Sequence, residues 1–241
     1  MNGNGTDFLH SPEGSLALES GRDLMRALLS AWPRRARSVL FLGAGVSSFA
    51  ENLWEDGFEV TVQDSNPQRL ESSRQVLGGR VEFVLSAPNH LPFDDGSFDY
   101  VVAGPCPVLG GQAEGTLEEM GRLACSGVLI IFFNACSIFA LECRLRRKNP
   151  LYAQIVSGLQ SPRALAAAAR RIFVGKSEVF ASILPGPLCT WRRGFFLEGM
   201  NSVKFPLPIG ALAALRVDLG SMYAGAPLLL RTNEPAVPAQ S

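Results

Sequence analysis

Histidine is almost missing from this chain of 241 residues, which has only His10 and His90, so imidazole chemistry has few candidates. Neither lies near a cysteine or carboxylate cluster at ligand spacing, and no metal site is expected. No CxxC pair occurs. The five cysteines, Cys106, Cys125, Cys136, Cys143 and Cys189, are odd in number and widely spaced in a chain too long to need disulfide staples. Reduced thiols and a cytoplasmic setting are expected from that usage. Net charge is also absent, with 22 basic against 22 acidic residues, so no overall electrostatic footprint argues for a nucleic-acid partner or an anionic surface. No apolar run reaches the ~18 residues of a spanning helix. The longest, Val128 to Leu141, is broken by Asn134 and Ser137, so stable membrane insertion is not expected. The opening Met-Asn-Gly-Asn-Gly-Thr-Asp lacks the basic start and apolar run of a signal peptide and reads as a frayed tail.

What is present is a glycine turn behind an apolar strand. Val39-Leu40-Phe41-Leu42 reads as buried strand, and Gly43-Ala44-Gly45 lets the chain turn tightly and bring backbone N–H groups close to a ligand. Asp64 follows 19 residues after Gly45, at the end of a second strand, Glu59 to Gln63. That spacing sets an acid beside the turn, where it can meet a ribose diol. The geometry calls for a nucleoside without saying which.

The remaining punctuation continues the rhythm. Leu24, Leu28, Leu29 and Trp32 recur at helical spacing from Ser20, and Pro33 ends the pattern. A helix from Ser48 to about Asp56 is stopped by Gly57, and Asn66-Pro67 caps another that Gly78-Gly79 closes. Strands are expected at Val81–Leu85, Phe98–Ala103 and Gly127–Phe133, with a helix over Leu117–Ala124. Alternating strands and helices imply a parallel sheet covered on both faces. Beyond Asn149 the rhythm changes to a helix from Arg163 to about Val174, opened by Ser161-Pro162, and then a proline-punctuated region. Its apolar stretches Glu178–Leu184, Ala211–Leu219 and Ala226–Leu230 read as two or three terminal strands joined by a long, functional loop.

Two cofactor classes share a glycine turn with an acid after the next strand: nicotinamide dinucleotides and S-adenosylmethionine. The dinucleotide fingerprint needs a third glycine, but here Gly45 is followed by Val46, Ser47 and Ser48. Downstream, His90-Leu91-Pro92-Phe93-Asp94-Asp95-Gly96-Ser97-Phe98-Asp99-Tyr100-Val101-Val102 resembles the LPF-x-x-x-SFD block of class I S-adenosylmethionine-dependent methyltransferases, the methyltransferase-11 type in particular. Leu117-Glu118-Glu119-Met120-Gly121-Arg122-Leu123, running into Ser126–Ile131, is similar to that family's helix before strand five. The resemblance covers roughly Ser38 to Asn134 in the family's order.

It implies a Rossmann-like α/β fold: an open, mostly parallel twisted sheet with helices on both faces and an antiparallel terminal strand. Residues 1–35 would form a tail and helix, and 36–241 the domain, elaborated from about 150. The cofactor implied is S-adenosyl-L-methionine. Backbone at Gly43, Ala44 and Gly45 would abut its methionine part, Asp64 its ribose hydroxyls and Ser65 the adenine. Ser86, followed by Ala87, stands where the family often has an acid for the adenine amino group, and Gly104 ends strand four on the methionine and acceptor side. Three departures stand out. Phe41 replaces the acid two residues before the first glycine, Ser47 replaces the last glycine, and Ser126-Gly127 replaces Pro-Gly-Gly. The amino group of the methionine part must then be held by backbone carbonyls or another acid.

The activity implied is methyl transfer to a small-molecule acceptor. Such a displacement relies on proximity and orientation, so no catalytic residue is nominated. His90 reads as a solvated loop residue, Cys106 and Cys136 as pocket or core residues, Asn134 as an acceptor ligand or a turn cap, and Asp99 as structural. Arg144-Leu145-Arg146-Arg147-Lys148 has two readings: a solvated helix end whose cations suit the helix C-terminus, and a site for an acidic or membrane-bound substrate. Trp191 with Arg192 and Arg193 reads as part of a lid or as an aromatic strand end. Alternatives to the enzyme are an NAD(P)-dependent oxidoreductase, which lacks a Tyr-x-x-x-Lys set here, and a methyltransferase-like domain that binds without turnover.

Overall fold

The computed structural model describes residue 8 and residues 11–34, 37–105, 113–191, 201 and 203–220. Helix α1 (Pro12–Leu29) leads into β1 (Ser38–Leu42), a 3-10 turn (Ala44–Val46), α2 (Ser47–Glu55) and β2 (Glu59–Asp64). Then come α3 (Pro67–Leu77), β3 (Glu82–Leu85), β4 (Phe98–Ala103), α4 (Ala113–Leu123) and β5 (Ala124–Phe133). Three helices follow, α5 (Ile138–Leu145), α6 (Pro150–Ser157) and α7 (Pro162–Ile172), before β6 (Ser177–Ile183) and β7 (Leu212–Asp218).

The seven strands form one sheet in the order β3-β2-β1-β4-β5-β7-β6. Strands β1 to β5 pair in parallel, and β7 runs antiparallel to both β5 and β6. The fold class expected from the sequence is therefore present, with the antiparallel strand set between β5 and β6. Order reverses at β1, whose neighbours are β2 and β4, so the carboxyl ends of these strands form the crevice where open α/β sheets bind ligands.

Strand alternation accounts for the two cores. Val39 and Phe41 of β1 face a cluster with Leu24 and Leu28 of α1, Phe49 and Leu53 of α2 and Leu70 of α3. Leu40 and Leu42 face the other side, with Leu117 and Met120 of α4 and Leu165 of α7. Both faces of β1 are thus apolar because both are covered.

Several boundaries differ from expectation, for physical reasons. Helix α1 begins at Pro12, with the Ser11 side chain accepting from the Gly14 N–H, rather than near Ser20. Its first turns bury Gly14, Ala17 and Gly21, small residues that let the helix approach the sheet without an apolar signal. A Cβ on Gly21 would lie 2.7 Å from a Leu212 methyl. Helices α5 and α6 fill the stretch where sequence showed only a helix end. The stretch 226–230 lies outside the described residues, as do Cys106, Arg192 and Arg193.

Candidate nucleotide-binding corner

Strand β1 delivers Gly43 with φ at 108° and ψ at 78°, a conformation that glycine adopts without Cβ strain. The Gly43 N–H donates to the Gln63 carbonyl at 2.9 Å, pinning the turn to the end of β2. Ala44 is held from the other side, its carbonyl accepting from the Ser73 hydroxyl of α3 at 2.5 Å. Gly104 closes the corner at the end of β4, its N–H donating to the Leu42 carbonyl at 3.0 Å. A Cβ there would come within 2.8 Å of the Phe41 ring and 2.9 Å of a Val46 methyl. Phe41 is fully buried, so its ring occupies the space under Gly104 at the position where the resemblance implies an acid.

Asp64 ends β2 with 1 % of its surface exposed. Its Oδ1 is saturated: the Asn66 N–H donates at 2.8 Å, and Arg69 donates through Nη2 at 2.7 Å and Nε at 3.1 Å. Asn66 also caps α3, accepting from the Gln68 and Arg69 N–H groups, so helix start and carboxylate are built as one unit. The second oxygen, Oδ2, is buried with no partner. Arg69 reaches across the glycine turn to make this contact, and a Cβ on Gly45 would sit 3.3 Å from its Cδ.

The ends of β2 and β3 add two more unfilled acceptors. Gln63 is fully buried and donates through Nε2 to the Ser86 carbonyl at 2.5 Å, while its Oε1 has no partner. The Ser86 N–H donates to the Asp64 carbonyl at 3.2 Å, and its hydroxyl is buried and unpartnered. Native proteins leave few buried polar atoms unpaired, so three at the ends of two neighbouring strands fit a polar ligand that satisfies them. Ser65 and Ala87 are exposed at the tips of the same strands. Sequence reasoning overlooked Gln63 and Arg69. The signals were there: a Gln closing the run Val60-Thr61-Val62, and an Arg in the first turn behind an Asn-Pro cap.

Other singled-out residues have structural employment. Asn134 is fully buried, donating to the Pro208 and Gly210 carbonyls at 2.7 and 2.9 Å and accepting from the Cys136 N–H at 2.8 Å, which makes it a loop clamp rather than an acceptor ligand. Trp191 is no lid residue: it is 1 % exposed, stacked on Phe139 at 4.9 Å, with its indole donating to the Gly186 carbonyl. Asp99 ties the start of β4 to β1, accepting from the Ser38 N–H at 2.9 Å and from Arg37 at 2.7 Å. The four described cysteines are free. Burial, then the neighbouring Glu142, pushes the Cys143 thiol up to about 12, which makes it a poor nucleophile.

A separate cleft of about 570 Å³ is lined by His90, Leu91, Phe93, Asp94, Glu119 and Arg122. Its charged groups hold the β3–β4 connection in place. Arg122 donates to Glu119 at 2.7 and 2.9 Å, to Asp95 at 2.7 Å and to the Phe93 carbonyl at 2.9 Å, and Glu119 accepts the Leu91 N–H at 2.8 Å. The Arg122 hydrogen bonds hold the Glu119 carboxyl below its ordinary 4.5, against the opposing effect of burial. A depressed folded-state value gives stability that is full above pH 4.5 and is lost as pH falls through the lowered value. Glu119→Gln should therefore lower the melting temperature at neutral pH and flatten its decline in acid. A melting-temperature profile over pH checks this, and parallel curves for the two proteins would refute it.

The sheet order with its antiparallel β7, together with a glycine turn facing an acid after β2, defines the fold of class I S-adenosylmethionine-dependent methyltransferases. Residues 40–132 match the family model described as a methyltransferase domain. A demethylmenaquinone methyltransferase of Clavibacter sepedonicus is 39 % identical over 71 residues, 29 % of either chain. An uncharacterized methyltransferase of Mycobacterium bovis is 37 % identical over 70 residues, 29 % of this chain and 28 % of that one. The match thus spans under a third of the length of these relatives. An S-adenosylmethionine-dependent methyltransferase of Thermotoga maritima superposes with a TM-score of 0.67 at 19 % identity, covering 88 % of this chain and 93 % of its own. One from Aquifex aeolicus gives 0.58 at 13 % identity, over 91 % and 100 %.

Proposed function

We propose that this chain is a methyltransferase that binds S-adenosylmethionine in the Gly43–Asp64–Gly104 corner and methylates a small or medium-sized acceptor. The observation that carries the reading is the buried, unpartnered Oδ2 of Asp64, on a carboxylate whose other oxygen is saturated. Oδ2 accepts from the ribose hydroxyls, and Arg69 holds the carboxylate in the orientation that presents it. The Ser86 hydroxyl takes the adenine amino hydrogen, with Ser65 and Ala87 flanking the ring. Backbone at Gly43, Ala44 and Gly45 lies along the methionine part, and the Gly104 region receives its amino group through carbonyls, because Phe41 brings no charge.

The cofactor supplies a methyl group activated on a sulfonium sulfur. Bound there, the group would supply a methyl that an acceptor's lone pair could take as the sulfur–methyl bond breaks, with S-adenosylhomocysteine as the leaving group carrying the electron pair. The corner contributes by fixing the methyl in line with the acceptor, which is an effect of proximity and orientation. A cytoplasmic setting belongs to the same reading, supported by the four free thiols.

Thermal unfolding with S-adenosylmethionine, S-adenosylhomocysteine, NAD and NADP in parallel tests the proposal. A ligand at ~100 times its dissociation constant stabilises by about 2.7 kcal/mol, or about 5–10 °C for a domain of this size. The first two compounds are expected to give that shift and the nicotinamides none. No shift with the first two, or a shift with NAD alone, would overturn it.

A further inference from the structure

Helix α5 buries Phe139, Ala140 and Cys143 and leaves a second apolar face uncovered. Ile138, Leu141 and Leu145, at i, i+3 and i+7, share one stripe and are 53, 57 and 78 % exposed. A surface helix usually presents charge on that side. Beside the stripe stand Arg144, Arg147 and Lys148, all exposed and without a carboxylate partner among the described residues. Arg146, by contrast, is engaged by Glu142 at 2.8 Å and lies over the Tyr152 ring. The helix dipole explains cations at this C-terminus but not three uncovered aliphatic side chains next to them.

A second apolar group belongs to the same edge. The Ser137 hydroxyl that caps α5 donates to the Asn134 carbonyl, and the Asn134 side chain holds Pro208 and Gly210. The loop so held exposes Val203, Leu207 and Ile209 at 45, 60 and 46 %. Stripe and loop thus branch from one buried residue just past the carboxyl end of β5, the edge that carries the nucleotide corner.

We propose that α5, through Ile138, Leu141 and Leu145 with Arg144, Arg147 and Lys148, docks on the surface of an anionic phospholipid bilayer. An exposed aliphatic stripe beside cations that have no carboxylate partner among the described residues is the pattern of an interfacial helix, with the apolar side chains entering the headgroup boundary and the cations meeting lipid phosphates. The chain's overall neutrality hides this patch because the compensating acids lie elsewhere. Docking needs no spanning segment, and no helix among the described residues is long and apolar enough to cross a membrane. It would turn the carboxyl edge toward the lipid, which on the methyl-transfer reading gives access to an acceptor dissolved in the bilayer.

Co-sedimentation of the full chain with vesicles tests this, using phosphatidylcholine alone and phosphatidylcholine mixed with phosphatidylglycerol, each at low and high salt. Binding is expected to the mixed vesicles at low salt, weakened by salt and by omitting the anionic lipid. Each cation near such a surface counts about fivefold, so Arg144→Glu with Arg147→Glu should weaken binding by more than about tenfold. Leu141→Glu with Leu145→Glu should abolish it while leaving the circular dichroism spectrum unchanged, because both side chains are exposed. No binding to the mixed vesicles, equal binding by the variants, or a dimer that the leucine variant dissolves would overturn the proposal. Cofactor-induced thermal shifts, read on the same samples without vesicles, report separately on the methyltransferase reading.

Discussion

Asp64→Ala is expected to abolish the thermal stabilisation given by S-adenosylmethionine while the protein stays folded. On the proposed reading the free Oδ2 is the charged acceptor for the ribose diol, and a hydrogen bond to a charged group contributes about 1.5–3 kcal/mol. Two such bonds correspond to roughly a hundredfold or more in the dissociation constant. The substitution also strips Oδ1 from Arg69 and from the Asn66 N–H, so the start of α3 loosens and the Ala44 carbonyl, held through Ser73 of that helix, loses definition. Titration calorimetry with S-adenosylhomocysteine measures the loss directly. Asp64→Asn separates the two contributions: its amide keeps the shape but presents no charge to Arg69, so binding should fall nearly as far. Unchanged affinity in Asp64→Ala would mean that the nucleoside lies elsewhere and that the orphaned oxygens have another use.

The glycine turn, its acid and the positions of five parallel strands were legible because each rests on local rules: apolar runs, turn residues and an Asn-Pro helix start. The likeness of Leu91–Val102 to a family block gave the cofactor class. What was not legible depends on contacts between distant segments. Phe41 looked like a missing acid, yet its ring packs on Gly104 just past β4, a contact across 63 residues that no window reveals. Arg69 sits in the first turn of α3, and only folding brings it across Gly45 onto Asp64. The apolar half of α1 hid in glycine and alanine, whose role is close approach rather than hydrophobicity. The exposed stripe of α5 was unreadable for the converse reason. Apolar residues at helical spacing are expected to face a core, and only the structure shows that Phe139, Ala140 and Cys143 already fill that role.

At the opposite edge of the sheet, Asp218→Ala should be among the most destabilising single changes in the chain. Asp218, at the end of β7, is 6 % exposed and accepts from the Trp32 indole through Oδ1 at 2.6 Å and from Arg216 through Oδ2 at 3.0 Å. Arg216 is 4 % exposed, donates to the Leu28 carbonyl at 2.8 Å and lies 5.9 Å from the Trp32 ring centroid. Trp32 in turn stacks on Tyr100 of β4 at 4.4 Å with its ring nearly parallel. One carboxylate therefore joins the end of α1, the centre of the sheet and β7. Removing it leaves a buried guanidinium without its counter-charge, a loss of about 3–5 kcal/mol, or about 6–20 °C in melting temperature for a domain of this size. Replacing the pair together, Asp218→Leu with Arg216→Met, should recover most of that loss, since well-packed apolar residues often match a buried ion pair. The indole N–H would remain unsatisfied in the double variant at a cost of about 1–3 kcal/mol, so recovery should be incomplete. Urea unfolding of Asp218→Leu, Arg216→Met and the double variant gives the coupling energy. A fall of less than about 1 kcal/mol in Asp218→Ala would show that water reaches Arg216 and that the pair is not the anchor of α1.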